Sequence, residues 1–186
     1  MRYIIDNSHF LAEFSVKHMM VSTVKGKFTA ASGEIEWDEN DPTRSWARAT
    51  INARSITTGD EKRDAHLLSA DFFDVEQYPT ITFESTKTEP KNVNKYNVTG
   101  NLSMHGITKP IIMEAEYNGQ AKNPWGQVVV GFSARNSINR TDFGLNWNVA
   151  LELGGVLVSD KIDITLEVEG IAQTSAPFEV ESSVSK

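Results

Sequence analysis

At 186 residues, with 39% hydrophobic side chains, the chain has the length of one β-barrel or β-sandwich domain. Its formal charge of −7 excludes the basic surface that nucleic-acid binding needs, and the lack of cysteine excludes disulfides and thiolate zinc sites. No stretch approaches the roughly 18 apolar residues of a membrane helix, and the N-terminal MRYIIDNSHF has no signal-peptide core, which predicts a cytoplasmic protein, or a periplasmic one if a leader was removed.

Along the chain, Asn7 to Val24 alternates, with Ala12, Phe14, Val16 and His18 on one face and Glu13, Ser15 and Lys17 on the other, the pattern of a half-buried strand. Lys25-Gly26-Lys27-Phe28 and Gly33 punctuate the next stretch, and Glu34-Ile35-Glu36-Trp37 alternates again before a turn at Asp38–Pro42. Between Ser45 and Ile56 the alternate residues Ala47, Ala49, Ile51 and Ala53 form a face of small side chains, which leaves room inside a barrel.

The alternation stops from Ser55 to Pro79. Thr58 and Glu61 have capping-box spacing, and Glu61, Ala65, Leu68 and Phe72 recur at helical intervals, with Lys62, Arg63 and His66 on the flanks. This predicts a compact helical insert over Asp60–Phe73, tied between two strands as a lid or plug. Pro79 forces extended geometry on Tyr78 and opens a strand at Thr80–Thr88, with Phe83 inward.

Further strands are expected at Lys95–His105, Pro110–Tyr117, Trp125–Ile138 and Lys161–Gly170. They have one-sided apolar sets such as Val128, Val130, Phe132 and Ala134, and Ile162, Ile164, Leu166 and Val168. Asn139–Asn146 is a loop by composition, with Gly144 left-handed. About eight long strands with short connections predict an all-β, antiparallel barrel closed on itself, because closure removes exposed edges. One domain is expected over 1–172, followed by a polar tail at 173–186.

The segments FSVKHMMVSTVKGKF, SITTGDEKRDAHLLSADFFDVEQYPTITF, GNLSMHGITKP, INRTDFGL and GGVLVSDKIDITLEVEG together resemble the YceI-like, polyisoprenoid-binding-like family of bacterial proteins. The resemblance implies an eight-stranded lipocalin-like barrel with an apolar tunnel that holds an isoprenoid or other long amphipathic lipid. It implies no cofactor beyond that ligand.

On these two grounds the expected tunnel wall is Phe14, Val16, His18, Phe28, Ala49, Ile51, Phe83, Val130, Phe132 and Ala134, closed by Leu68 and Phe72 of the insert. The aromatic and aliphatic members would equally make a filled core; the alanines are what point to a tunnel. Arg63, His66 and Arg140 are candidates for an anionic head group at one mouth, against ordinary surface charges and loop-fixing ion pairs. The four histidines lack HxH or HExxH spacing, so no metal is expected. An enzyme using His66 as general base with Asp71 or Asp142 is the alternative, but the chain has no nucleophile elbow and no phosphate-binding glycine loop. A flat outer face leaves a homodimer open.

Overall fold

The computed structural model describes residues 1–152 and 154–173. The strands are β1 (Arg2–His18), β2 (Ser22–Phe28), β3 (Ala31–Glu36), β4 (Trp46–Asn52), β5 (Ile56–Thr57), β6 (Thr80–Asn92), β7 (Lys95–Met104), β8 (Ile107–Lys122), β9 (Val128–Asn139) and β10 (Val158–Ala172), with helix α1 at Glu61–Leu68. The tail expected at 173–186 lies, beyond Gln173, outside the described residues.

Every pairing is antiparallel, and β1-β3-β4-β6-β7-β8-β9-β10 closes on itself through β10 and β1. β2 and β3 share one edge of β1, broken at Thr29-Ala30. β4 and β5 are likewise divided by a 3-10 turn at Ala53–Ser55, so the barrel has eight strands, two of them interrupted. Connections are short where turn chemistry allows: His105 and Gly106, both left-handed at φ 53° and 74°, make the two-residue turn between Met104 and Ile107. β6, β8 and β9 run close to the expected boundaries, with β6 and β8 extending further at their ends.

The insert departs from the expected cap. Gly59 is left-handed, which brings Asp60 to the cap position, where its carboxylate accepts from Arg63 N–H at 2.9 Å. Thr58 is held instead through its backbone N–H by the Asp64 carboxylate, at 2.8 Å. The helix ends at Ser69, whose carbonyl accepts from the N–H groups of Phe72 and Asp74, turning the chain back toward Pro79.

Buried residues gather at the two ends of the barrel. At the insert end, Phe28, Ile56, Val75, Met104, Phe143 and Leu145 pack together. At the opposite end Trp37 lies within 5.0–5.2 Å of the rings of Tyr96, Tyr117 and Phe132, beside Tyr3, Ile35 and Val130. That aromatic cluster closes the barrel at its Trp37 end.

Candidate functional site: the barrel lumen

Between the two packed ends lies a cavity of about 290 Å³. Alternation along each strand builds its wall: Phe14 and Val16 from β1, Ala49 and Ile51 from β4, Phe83 from β6, Val98 and Leu102 from β7, Phe132 and Ala134 from β9, and Ile162, Ile164 and Leu166 from β10. Many of these, including Phe14, Val16, Ala49, Phe83 and Ala134, are only half-buried although they point inward, because they face open space and not a partner side chain. Ala115 and Ala134 pair across β8 and β9, while Gly33 pairs with Ala49 across β3 and β4, so small residues hollow two separate parts of the wall.

Two glycines shape the lumen. A Cβ on Gly100 would sit 2.4 Å from Phe83 Cζ, and one on Gly26 would sit 2.3 Å from Phe14 Cζ. Both rings therefore lie against bare backbone and leave the centre of the barrel clear. Of the polar residues that touch the cavity, Glu13 pairs with Lys25 at 3.2 Å, Arg48 pairs with Glu34, and Thr88 donates its hydroxyl to Ser45 O at 3.0 Å, whereas the Trp37 indole N–H is buried without a hydrogen-bond partner.

Of the expected wall residues, Phe14, Val16, Phe28, Ala49, Ile51, Phe72, Phe83, Phe132 and Ala134 line the cavity. Val130 does not; it is 1% exposed and packs among Tyr3, Ile35 and Trp37. His18 lies at the end of β1, paired with Val158 and Ser22, and is not part of the wall. From the insert the lining residues are Leu67, Phe72 and Phe73, whereas Leu68 packs against the neighbouring core cluster. Phe73 meets Phe28 edge-on at 5.6 Å, so the insert plugs into the barrel through its aromatic rings.

The candidate head-group residues do not converge. Arg140 is 3% exposed and touches the cavity, but its guanidinium donates to the carbonyls of Ser159, Leu145, Trp147 and Val158 and to Asp160 Oδ1 at 3.1 Å. All five N–H groups are thereby used, which makes Arg140 the clamp of the connection between β9 and β10 and leaves no donor for a ligand. Burial draws its pKa below the ordinary arginine value, and Asp160 opposes that shift. Arg63 folds back on Thr58, donating to its Oγ1 at 2.7 Å. His66 stands outside the lumen, 2.8 Å from Asp71 and edge-on to Phe72 and Trp147 at 5.1 and 4.7 Å.

One cluster escaped the histidine spacing. β1 loses its pairing with β10 between Ile5 and Phe10, and the bulge brings His9 Nδ1 to 2.7 Å from Asp6 and 3.8 Å from Glu169. These three ligand-type atoms lie within 4.8 Å of one another on the outer surface. The Asp6 hydrogen bond, followed by the attraction of Glu169, raises the His9 pKa above its ordinary value.

A closed antiparallel barrel with one aromatic-sealed end, one helical insert at the other, and an apolar internal cavity defines a lipocalin-like architecture. The chain belongs to the YceI-like family, whose domain it matches over residues 3–170. It is 40% identical over 168 residues to a UPF0312 protein of Staphylococcus aureus, covering 90% of this chain and 95% of that protein. The crystal structure of the Campylobacter jejuni YceI protein superposes with a TM-score of 0.73 at 34% identity, over 85% of this chain and 90% of that one. A polyisoprenoid-binding domain of Saccharophagus degradans shares the fold at a TM-score of 0.67 and 16% identity, over 92% of this chain and 98% of the other.

Proposed function

We propose that this protein takes a single long-chain lipid, of isoprenoid or similar amphipathic type, into the barrel lumen, and that it sequesters, carries or stores that lipid without transforming it. The observation that carries the reading is the cavity of about 290 Å³ walled by apolar side chains between two packed ends. A dry apolar channel of this kind gains little from water and much from a hydrocarbon chain, since burial stabilises by about 25 cal/mol per Å² of apolar surface. The relatedness of the fold to a polyisoprenoid-binding domain supports an isoprenoid among long-chain candidates.

Carriage fits better than catalysis. The His66–Asp71 pair that an enzyme would use stands outside the lumen, and the ionisable residues that line the cavity, Glu13, Arg48, Tyr96 and Arg140, do not include a histidine. No cofactor enters this reading. Native mass spectrometry of the protein purified from its own host tests it: a lipid of defined mass at one per chain is expected, chemically unchanged after long incubation. A protein that emerges empty and takes up no isoprenoid from detergent would refute binding. A shortened or dephosphorylated product would refute the non-catalytic part.

A further inference from the structure

At the insert end, two loops form an apolar tip beside the lumen. The turn between β1 and β2 exposes Met19, Met20 and Val21 at 44%, 66% and 84%, and the connection before β10 exposes Val149 and Val156 at 47% and 37%. They form one structure: Met19 N–H donates to Leu157 O at 2.8 Å, Leu157 N–H to Val149 O at 2.9 Å, Ala150 bridges Val156, and Met20 lies against Gly155. Met19 and Met20 are also both left-handed, at φ 51° and 63°, where glycine or asparagine is the residue that costs least. Local structure therefore gives no reason for methionine there.

The tip adjoins the cavity. Val16 and Val158 line the lumen, and Val158 pairs with His18, the residue before Met19. Among the described residues the tip has five exposed apolar side chains, far short of the roughly 20–30 residues a side of a stable protein interface, and none of the Trp, Tyr or Arg anchors that carry such interfaces. The charges beside the tip are of both signs, with Lys25 paired to Glu13, Lys161 to Asp163, Lys17 donating to Thr23 Oγ1 and Glu152 exposed within the second loop, so no patch of one sign steers a charged partner.

From these features we propose that the Met19–Val21 turn, with the exposed Val149 and Val156 beside it, docks on the apolar interface of a lipid bilayer, bringing the lumen to the membrane so that a lipid passes between them without crossing water. The proposal rests on the lumen holding a membrane lipid, but its test does not require the lumen to be loaded. Methionine and valine inserted into the acyl boundary bind by area, not by charge.

Flotation of the full chain with neutral phosphatidylcholine vesicles tests this. The parent protein should float, and raising salt from about 0.1 to about 1 M should leave the bound fraction unchanged. Met20→Asp and Val21→Asp should each lower partitioning by about tenfold or more while leaving the melting temperature in place. Trp125→Asp, at the exposed Trp125 of the opposite end, should leave flotation unchanged. Flotation that is absent, equal in parent and tip variants, or lost with Trp125→Asp would overturn the proposal. Dimerisation abolished by the tip variants, in place of flotation, would assign the tip to a second copy and overturn it too. Flotation without lipid uptake would leave the docking intact and remove the carrier reading.

Discussion

Ala134→Trp separates a tunnel from a merely loose core. Ala134 pairs with Ala115 on one side and Leu166 on the other and is half-buried against the cavity. If a void of about 290 Å³ were carved from a solid core, it would cost on the order of 7 kcal/mol at about 24 cal/mol per Å³. That is comparable with the whole stability of an ordinary domain, about 5–15 kcal/mol, so the barrel keeps open a space whose filling would favour it. An indole at position 134 should therefore enter existing room, and delipidated Ala134→Trp should unfold within about 1 kcal/mol of the delipidated parent, or above it. Lipid uptake, measured by extraction and mass spectrometry after exposure to isoprenoid in detergent, should be lost. The assay is a urea or thermal melt on delipidated protein beside the uptake measurement. A loss of about 1–3 kcal/mol, moving the melting temperature by about 2–4 °C for each kcal/mol, is what overpacking of a filled interior would give and would refute the reasoning. Unchanged uptake would refute it equally.

Arg140→Met should destabilise the fold by on the order of 3 kcal/mol, because it strands buried carbonyls of the clamp, and should shift affinity equally for an anionic lipid and its uncharged alcohol; a selective loss of the anionic lipid would return Arg140 to recognition. Leu67→Ala and Phe73→Ala should speed ligand release more than they lower the melting temperature, as read by stopped-flow displacement of a fluorescent lipid, with an unchanged off-rate marking the insert as packing alone. Gly100→Ala should cost about 1–3 kcal/mol by colliding with both the Phe83 ring and the Glu84 carbonyl oxygen, and Phe83→Leu should recover only the ring's share of that loss in the double variant. The His9 ring should titrate above the ordinary histidine value by NMR, and Asp6→Asn should bring it back down. Because the folded pKa is the raised one, the stabilisation it brings is complete below about pH 6.5 and disappears as the pH rises through the folded value.

Alternation made much of the wall legible, since a strand's inward set follows from period two alone. Phe14 and Val16, Ala49 and Ile51, and Phe132 and Ala134 fall into the lumen as that period requires. It could not tell lumen from end-plug along the same face. Val130 shares the face of Phe132 and Ala134 but sits at the level of Trp37, where the barrel is packed solid, and position along the barrel axis depends on stagger between strands that no single strand encodes. The insert failed differently. Its helix is eight residues long, too short for periodicity to fix which side meets the barrel, so Leu68 was expected where Leu67 stands. Arg140 was unreadable because most of its partners are backbone carbonyls, which any residue would supply. The trio at His9 joins two residues of a bulge to Glu169 on the last strand, a juxtaposition set only when β1 closes on β10.

The two-ended distribution of buried side chains explains how a barrel can hold a void and remain folded. Trp37 with its three aromatic neighbours seals one end, and Phe28, Val75, Phe143 and Leu145 pack at the other, so the dense packing that native stability depends on flanks the cavity at its two ends. The middle is held by strand pairing instead, with Gly100 and Gly26 letting the rings of Phe83 and Phe14 lie back on the backbone. Opening the Trp37 end would disrupt a buried aromatic cluster, whereas Leu67 and Phe73 at the insert end are half-buried and belong to a segment attached to the barrel mainly through side chains. A ligand exchanging through the insert end would displace half-buried side chains, whereas exchange through the Trp37 end would break a buried aromatic cluster, and the exposed Met19–Val21 turn stands on the insert side of the molecule.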